Sequence, residues 1–204
     1  MNQLTKLVTS SFRRARSTDR TPATTKPTKR AALGLECLDD RCLPSGSPLT
    51  LASNHNLYYG SSVVLSNVEQ YMWSSPANTG FALQQGGTLD SFTSSSPSHV
   101  HATLGTNVES IALASDGTLY SLVYAGQLQV STKSGSSWTV LDTATEQYGV
   151  ASNGGLYDLD DGGSLRFSAN RGSSWTFLDS NTQKIAVTPD DTIYNLVGGG
   201  VLES

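Results

Sequence analysis

A step of 37 residues governs the second half of this chain. Leu119-Tyr120 returns as Leu156-Tyr157 and again as Ile193-Tyr194, and both Gly126, Gly163, Gly200 and Leu128, Leu165, Leu202 keep the same spacing. Trp138-Thr139-Val140-Leu141-Asp142 likewise returns as Trp175-Thr176-Phe177-Leu178-Asp179. Agreement of this kind in one register marks a structural repeat. A unit this short cannot cover its own faces and must stack on its neighbours.

The unit that begins at Asn107 reads as four short strands. Ile111 and Leu113 alternate as on a strand, and Ser115-Asp116-Gly117 makes a turn in which glycine supplies a positive φ. Leu119 to Val123 follows, then a stop at Ala125-Gly126, a third strand from Gln127 to Ser131, the turn Lys133-Ser134-Gly135-Ser136 and a fourth strand near Trp138. Four strands joined by tight turns form an antiparallel meander, and such sheets stacked radially are the blades of a propeller. The expected fold is therefore all-β, a β-propeller-like array of about four to five units.

Upstream, Asn67-Val68-Glu69 matches Asn107-Val108-Glu109, and Gly87-x-Leu89 matches Gly126-x-Leu128, which is the same unit with a short insertion. Leu51-Ala52-Ser53 and Leu57-Tyr58 echo Leu113-Ala114-Ser115 and Leu119-Tyr120, with Val63-Val64-Leu65 as the echo of a fourth strand. The units then fall at 49–66 (partial), 67–106, 107–143, 144–180 and 181–204 (partial). Two ends are open to the array. Val63-Val64-Leu65 could complete the last sheet, or the chain is a fragment of a longer repeat protein and keeps an unpaired edge.

Charge separates residues 1–45 from residues 46–204. Nine of the 13 Lys and Arg lie before Pro44, against four acids there, so the tail carries about +5 and the repeat region about −9. A body with that field repels nucleic acid and anionic membrane. The tail mixes bases with Ser, Thr and Pro without apolar period, the composition of a disordered or processed segment. It lacks the apolar core of a secretory signal, and no apolar stretch is long enough to span a membrane as a helix. Cys37 and Cys42 sit together there, either as a small disulfide or as free thiols.

Two segments carry family resemblances. Leu35-Glu36-Cys37-Leu38-Asp39-Asp40-Arg41-Cys42-Leu43-Pro44-Ser45 resembles the LEPR-XLL-type motif near the N-terminus of large exported proteins of planctomycete bacteria, with Asp40 and Pro44 departing from it. That likeness implies sorting to the cell envelope or outside the cell. Ser131-Thr132-Lys133-Ser134-Gly135-Ser136-Ser137-Trp138 and Ser168-Ala169-Asn170-Arg171-Gly172-Ser173-Ser174-Trp175 resemble the Asp-box, or BNR repeat, of sialidase-like propellers. Ser131, Gly135, Trp138, Ser168, Gly172 and Trp175 match the pattern, while Lys133 and Asn170 replace its Asp. In that family the turn is structural, and only that role is implied here.

Candidate chemistry is sparse. A sialidase needs three arginines around a carboxylate, and the repeat region holds only Arg166 and Arg171. His99 and His101 would share a strand face but gain no third ligand from His55, so no metal is expected. Asp158-Leu159-Asp160-Asp161-Gly162-Gly163 lacks the bidentate Glu of a calcium loop and reads as a solvated acidic turn. Tyr120, Tyr157 and Tyr194 repeat with the fold and read as packing residues. The functional expectation is a non-enzymatic binding or scaffolding module for a protein or a carbohydrate, with no catalytic residue and no cofactor. The competing expectations are a glycoside hydrolase or lyase on the same scaffold, and a fragment without a role of its own.

Overall fold

The computed structural model describes residues 48–204, and every regular element among them is a β-strand. The expectations for residues 1–45, including the motif at Leu35–Ser45 and the pair Cys37 and Cys42, lie outside the described residues. Strands β1 (Leu49–Leu51), β2 (Leu57–Tyr59) and β3 (Ser62–Leu65) form the first sheet. The second holds β4 (Val68–Ser74), β5 (Thr79–Gln84), β6 (Leu89–Thr93) and β7 (Ala102–Gly105), and the third β8 (Val108–Leu113), β9 (Leu119–Val123), β10 (Gln127–Ser131) and β11 (Thr139–Asp142). The fourth holds β12 (Thr145–Val150), β13 (Leu156–Asp160), β14 (Leu165–Ser168) and β15 (Thr176–Asp179), and the fifth β16 (Thr182–Val187), β17 (Ile193–Val197) and β18 (Val201–Glu203). Every pairing is antiparallel between consecutive strands, so each sheet is a meander.

The sheets stack in sequence order, as the two-residue side-chain period requires. Leu119 turns toward the second sheet, where it packs with Phe81, Leu83 and Leu89. Its neighbours Tyr120 and Leu122 turn the other way, onto Leu156 and Tyr148 of the fourth. Four apolar clusters result, one in each gap between successive sheets. Each fully buried leucine in them contributes about 2 kcal/mol. The leading strands β4, β8, β12 and β16 lie beside one another, which places them innermost and gives the radial array of a β-propeller.

Polar bonds fasten the same gaps. The carbonyl of Gly87, Gly126 or Gly163, at the hairpin between second and third strands, accepts the amide of Val108, Thr145 or Thr182 in the following sheet at 2.9, 2.9 and 3.0 Å. These glycines hold φ of 76°, 75° and 80°, a conformation that disfavours a side chain. Near the axis, Gln147 exchanges two 2.9 Å bonds with the backbone of Ile185, and Gln70 accepts the Ile111 amide at 3.0 Å.

The first sheet differs from its sequence reading. Its last pair, β2–β3, carries the register shift found in β6–β7, β10–β11 and β14–β15, the third and fourth strands of the other sheets. The His55 carbonyl accepts the Val68 amide at 2.8 Å, as the hairpin glycines do for later sheets. Leu57 is thus the counterpart of Leu128 rather than of Leu119, and the first sheet holds second, third and fourth strands. Val63-Val64-Leu65 is its outer strand and pairs with β2, so it does not complete the fifth sheet. Among the described residues, β18 has a strand neighbour on one side only.

Candidate interaction surface

The two Asp-box-like turns have one construction. Ser131 Oγ accepts the amides of Lys133 and Gly135 at 3.2 and 2.9 Å, and Ser168 Oγ accepts those of Asn170 and Gly172 at 3.3 and 2.8 Å. Gly135 and Gly172 take φ of 82° and 85°. Where the pattern has Asp, Asn170 restores an acceptor by taking the Ser174 amide at 2.9 Å, whereas Lys133 offers only its backbone carbonyl to Ser136. Trp138 and Trp175 occupy equivalent places, but each is half-buried, not interior. Trp138 donates Nε1 to the Leu104 carbonyl at 3.3 Å and packs on the cluster between the second and third sheets, and Trp175 packs on the cluster between the third and fourth. Gly135 and Gly172 of the two turns lie against Leu104 and Leu141 on the outer strand of the preceding sheet. The turns are therefore clamps between neighbouring sheets.

Asp158 is not part of a solvated turn. It is fully buried on β13, where it accepts the Thr145 hydroxyl at 2.7 Å and pairs with Arg166. Arg166 also pairs with Asp142 of the third sheet and lies 5.4 Å from the Trp175 ring centre. Burial pushes the Asp158 carboxyl above its ordinary value, against the Thr145 hydroxyl and Arg166. Asp142 moves the other way: desolvation opposes its ionisation, but the Ala144 amide, Arg166 and the Thr143 amide outweigh it. One repeat later, Asn195 stands in place of Asp158 and donates to Asp179, the counterpart of Asp142, at 2.7 Å. Sequence reasoning missed this joint, although Asp142 and Asp179 stand one repeat apart. Asp160, by contrast, does make a turn, accepting the Gly162 and Ser164 amides at 3.0 and 2.8 Å.

The remaining expected residues are scattered. His55 Nδ1 lies 3.1 Å from the Val68 carbonyl, and His99 Nδ1 lies 2.8 Å from Ser98 Oγ in the exposed loop after β6. Tyr120 is fully buried and Tyr157 packs against Phe167 at 4.9 Å between centroids, but Tyr194 is 38% exposed. Leucines show the same gradient: Leu128 is 0% and Leu165 2% exposed, while their counterpart Leu202 is 66% exposed. Leu178, which follows Leu104 and Leu141 in the repeat, is 45% exposed. The fifth sheet thus turns toward solvent the face that the second, third and fourth bury. Among the described residues, no backbone amide reaches the Gly200 carbonyl, the counterpart of the Gly87, Gly126 and Gly163 acceptors.

No helix among the described residues is long and apolar enough to cross a membrane. No protein-family model and no curated protein matches the chain. Among solved structures it is similar to the N-terminal domain of Nup159, with 12% identity over 72% of this chain and 48% of that one and a TM-score of 0.53. It is also similar to YCF48 bound to D1 peptide (14% identity, 69% and 52% of the two chains, TM-score 0.49) and to the WD40 β-propeller domain of Doa1 (14%, 72% and 55%, TM-score 0.48). The chain spans about half the length of these structures, and at these identities the likeness is one of fold alone.

Proposed function

We propose that residues 46–204 serve as a non-enzymatic, protein-binding propeller module at the cell envelope or outside the cell. The observation that carries the binding role is the open face of the fifth sheet, where Tyr194 and Leu202 are exposed apolar side chains. An apolar face continuous with buried interfaces of the same molecule suits another polypeptide. The location rests on the resemblance of Leu35–Ser45 to an exported-protein motif.

Against a hydrolase stands the use of the acids. Asp158 and Asp142 are held by Arg166, Asp90 by Gln84 and Thr103, and Asp116 by Arg171 and the Thr118 amide. A glycosidase needs two carboxyl groups facing a cleft.

The test uses the full chain, immobilised beside Leu202→Asp, against solubilised envelope proteins and a glycan array. Protein partners retained by the wild type and lost by the variant are expected. Partners retained equally by both, or glycan binding alone, would overturn the reading.

A further inference from the structure

One turn is built three times in this chain, each time between the first and second strands of a sheet. In the third sheet Gly117 donates its amide to the Ala114 carbonyl at 3.0 Å, Ala114 donates to the Thr118 carbonyl at 2.9 Å, and Asp116 Oδ1 accepts the Thr118 amide at 2.9 Å. In the fourth, Gly154 donates to Ala151 at 3.0 Å, Ala151 to Gly155 at 2.8 Å, and Asn153 Oδ1 accepts the Gly155 amide at 2.8 Å. In the fifth, Asp191 donates to Thr188 at 3.0 Å, Thr188 to Thr192 at 2.9 Å, and Asp190 accepts the Thr192 amide. At steps of 37 residues the side chain that caps the turn is therefore Asp, Asn and Asp. Asn153 is exposed, and among the asparagines of the chain it alone is followed by glycine. Gly154 holds φ of 86°, and a Cβ placed on it would meet nothing within 4 Å, so the space around its amide is open.

We propose that Asn153 is a self-modifying residue, converting without an enzyme to aspartate and its β-linked isomer and so acquiring the charge that its two counterparts already carry. The Gly154 nitrogen attacks Asn153 Cγ, and the new bond closes a five-membered succinimide. The Cγ–Nδ2 bond breaks, and ammonia leaves with the proton given up by the Gly154 amide. Water then opens the ring. Attack at Cγ breaks the new bond and leaves aspartate, whereas attack at the backbone carbonyl carbon leaves the main chain running through Cβ and Cγ. Glycine is what allows the approach, because any side chain at 154 would shield the nitrogen. The fold sets the pace: the Gly154 amide is engaged by the Ala151 carbonyl, so an exposed turn must open before attack. It also accepts the product, since aspartate keeps the oxygen that receives the Gly155 amide, as Asp116 does for Thr118. The new charge arises next to Ser152, whose amide and hydroxyl donate to Asp191 of the fifth sheet at 2.5 and 3.0 Å. Like charges this close repel, so the modification loosens that junction between the fourth and fifth sheets.

The test incubates the full chain in mildly alkaline buffer and follows its tryptic peptides by liquid chromatography and mass spectrometry. The peptide Ser134–Arg166 contains Asn153 and no other asparagine, so conversion there is read directly. Two acidic products with the mass gain of amide-to-acid exchange are expected, ahead of change at any other asparagine. In the free Ser134–Arg166 peptide the reaction should run about tenfold faster, which corresponds to about 1.4 kcal/mol for opening the turn. Asn153→Gln keeps the amide but needs a six-membered ring, and should stop the conversion. Asn153→Asp reproduces the aspartate product, and should keep the β-sheet circular dichroism while the Ser152 amide exchanges faster. No conversion in the full chain, conversion spread evenly over the asparagines, or the same mass gain in Asn153→Gln overturns the proposal. Equal rates in chain and peptide overturn the control by the turn, and unaltered exchange at Ser152 in Asn153→Asp overturns the loosening of the junction.

Discussion

Arg166 of the fourth sheet reaches across to Asp142, the last residue of the third sheet's outer strand. The same guanidinium faces the wholly buried Asp158, so one cation holds two sheets and neutralises an interior carboxylate.

Removing that cation should cost more than the pair is worth, because an unpaired charge is left inside. Arg166→Met is expected to destabilise by about 3–5 kcal/mol, read from urea or thermal melts. Adding Asp158→Asn should recover a large part of the loss, since the stranded charge is then gone while an acceptor for Thr145 remains. Equal stability of the single and double variants would show that Asp158 is not the buried charge at issue.

The two carboxyls of this joint shift in opposite directions, and their pH effects have opposite signs. Asp142 sits below its ordinary value, so it stabilises the fold above about pH 4 and that contribution is lost as pH falls through its folded pKa. Asp116, also lowered, acts alike on the surface. Asp158 sits above its ordinary value, so the fold gains stability as pH falls through its folded pKa and loses that gain as pH rises. Stability should therefore peak on the acid side of neutrality. Asp158→Asn should remove the rise on mild acidification, and Asp142→Asn should blunt the fall below it. Parallel pH curves for both variants and the wild type would contradict the assignment.

Gly126 and Gly200 offer a comparison with an internal control. Their φ values are 75° and 81°, so an alanine strains both backbones alike. A Cβ at Gly126 would lie 3.0 Å from the Thr145 carbonyl oxygen of the next sheet, whereas at Gly200 nothing lies within 4 Å. Gly200→Ala should cost about 1 kcal/mol, the strain alone. Gly126→Ala should cost at least about 1 kcal/mol more, because backbone cannot move aside as a side chain can. Equal losses in denaturant melts would mean that the gap between third and fourth sheets is looser than this contact implies.

Trp138 and Trp175 are clamps and not interior residues, which lowers what truncation removes. Trp138→Ala is expected to cost about 2 kcal/mol, below the range for fully buried aromatics, and to expose Leu104. Trp175→Ala removes, in addition, the ring beside Arg166. A double-mutant cycle of Trp175→Ala with Arg166→Met should show coupling of about 0.5–1 kcal/mol, and additivity would place the two side chains in independent roles.

The repeat made the architecture legible because spacing alone carries it: Tyr120, Tyr157 and Tyr194 recur with the sheet, and glycines mark its hairpins. The first sheet was misplaced because Leu57-Tyr58 repeats Leu119-Tyr120 in sequence, whereas the shift in the β2–β3 pairing and the His55 carbonyl bond to Val68 put Leu57 in the place of Leu128. Asp158 was misread because Asp158, Asp160 and Asp161 look alike in a row of turn residues. The strand's two-residue period sends Asp158 inward, and Arg166, eight residues on, makes that tolerable. The open face was invisible for a related reason. Leu202 repeats Leu165 faithfully in the sequence, and burial depends on a neighbouring sheet that no local pattern encodes.

That gradient of burial should be readable in the tyrosines. Burial, with the negative Asp116 beside it, pushes Tyr120 up to about 12, and burial raises Tyr148 further, beyond the reach of mild alkali. Tyr58, held by Asn54 and Asn56 at the surface, moves the opposite way. Of the eight tyrosines, Tyr58 should ionise early in an ultraviolet titration, while Tyr120 and Tyr148 appear only as the fold gives way. Tyr120 and Tyr148 have folded pKa values above their unfolded ones, so their contribution to stability is fully present below about pH 10 and is lost as pH rises through the folded values. Tyr120→Phe deletes a buried hydroxyl that has no hydrogen-bond partner, so it should leave stability at neutral pH unchanged or slightly improved. It should also remove one late-titrating group. A variant that still shows both late groups would mean that Tyr120 is not one of them, and one that unfolds at neutral pH would mean that the Tyr120 hydroxyl is bonded after all.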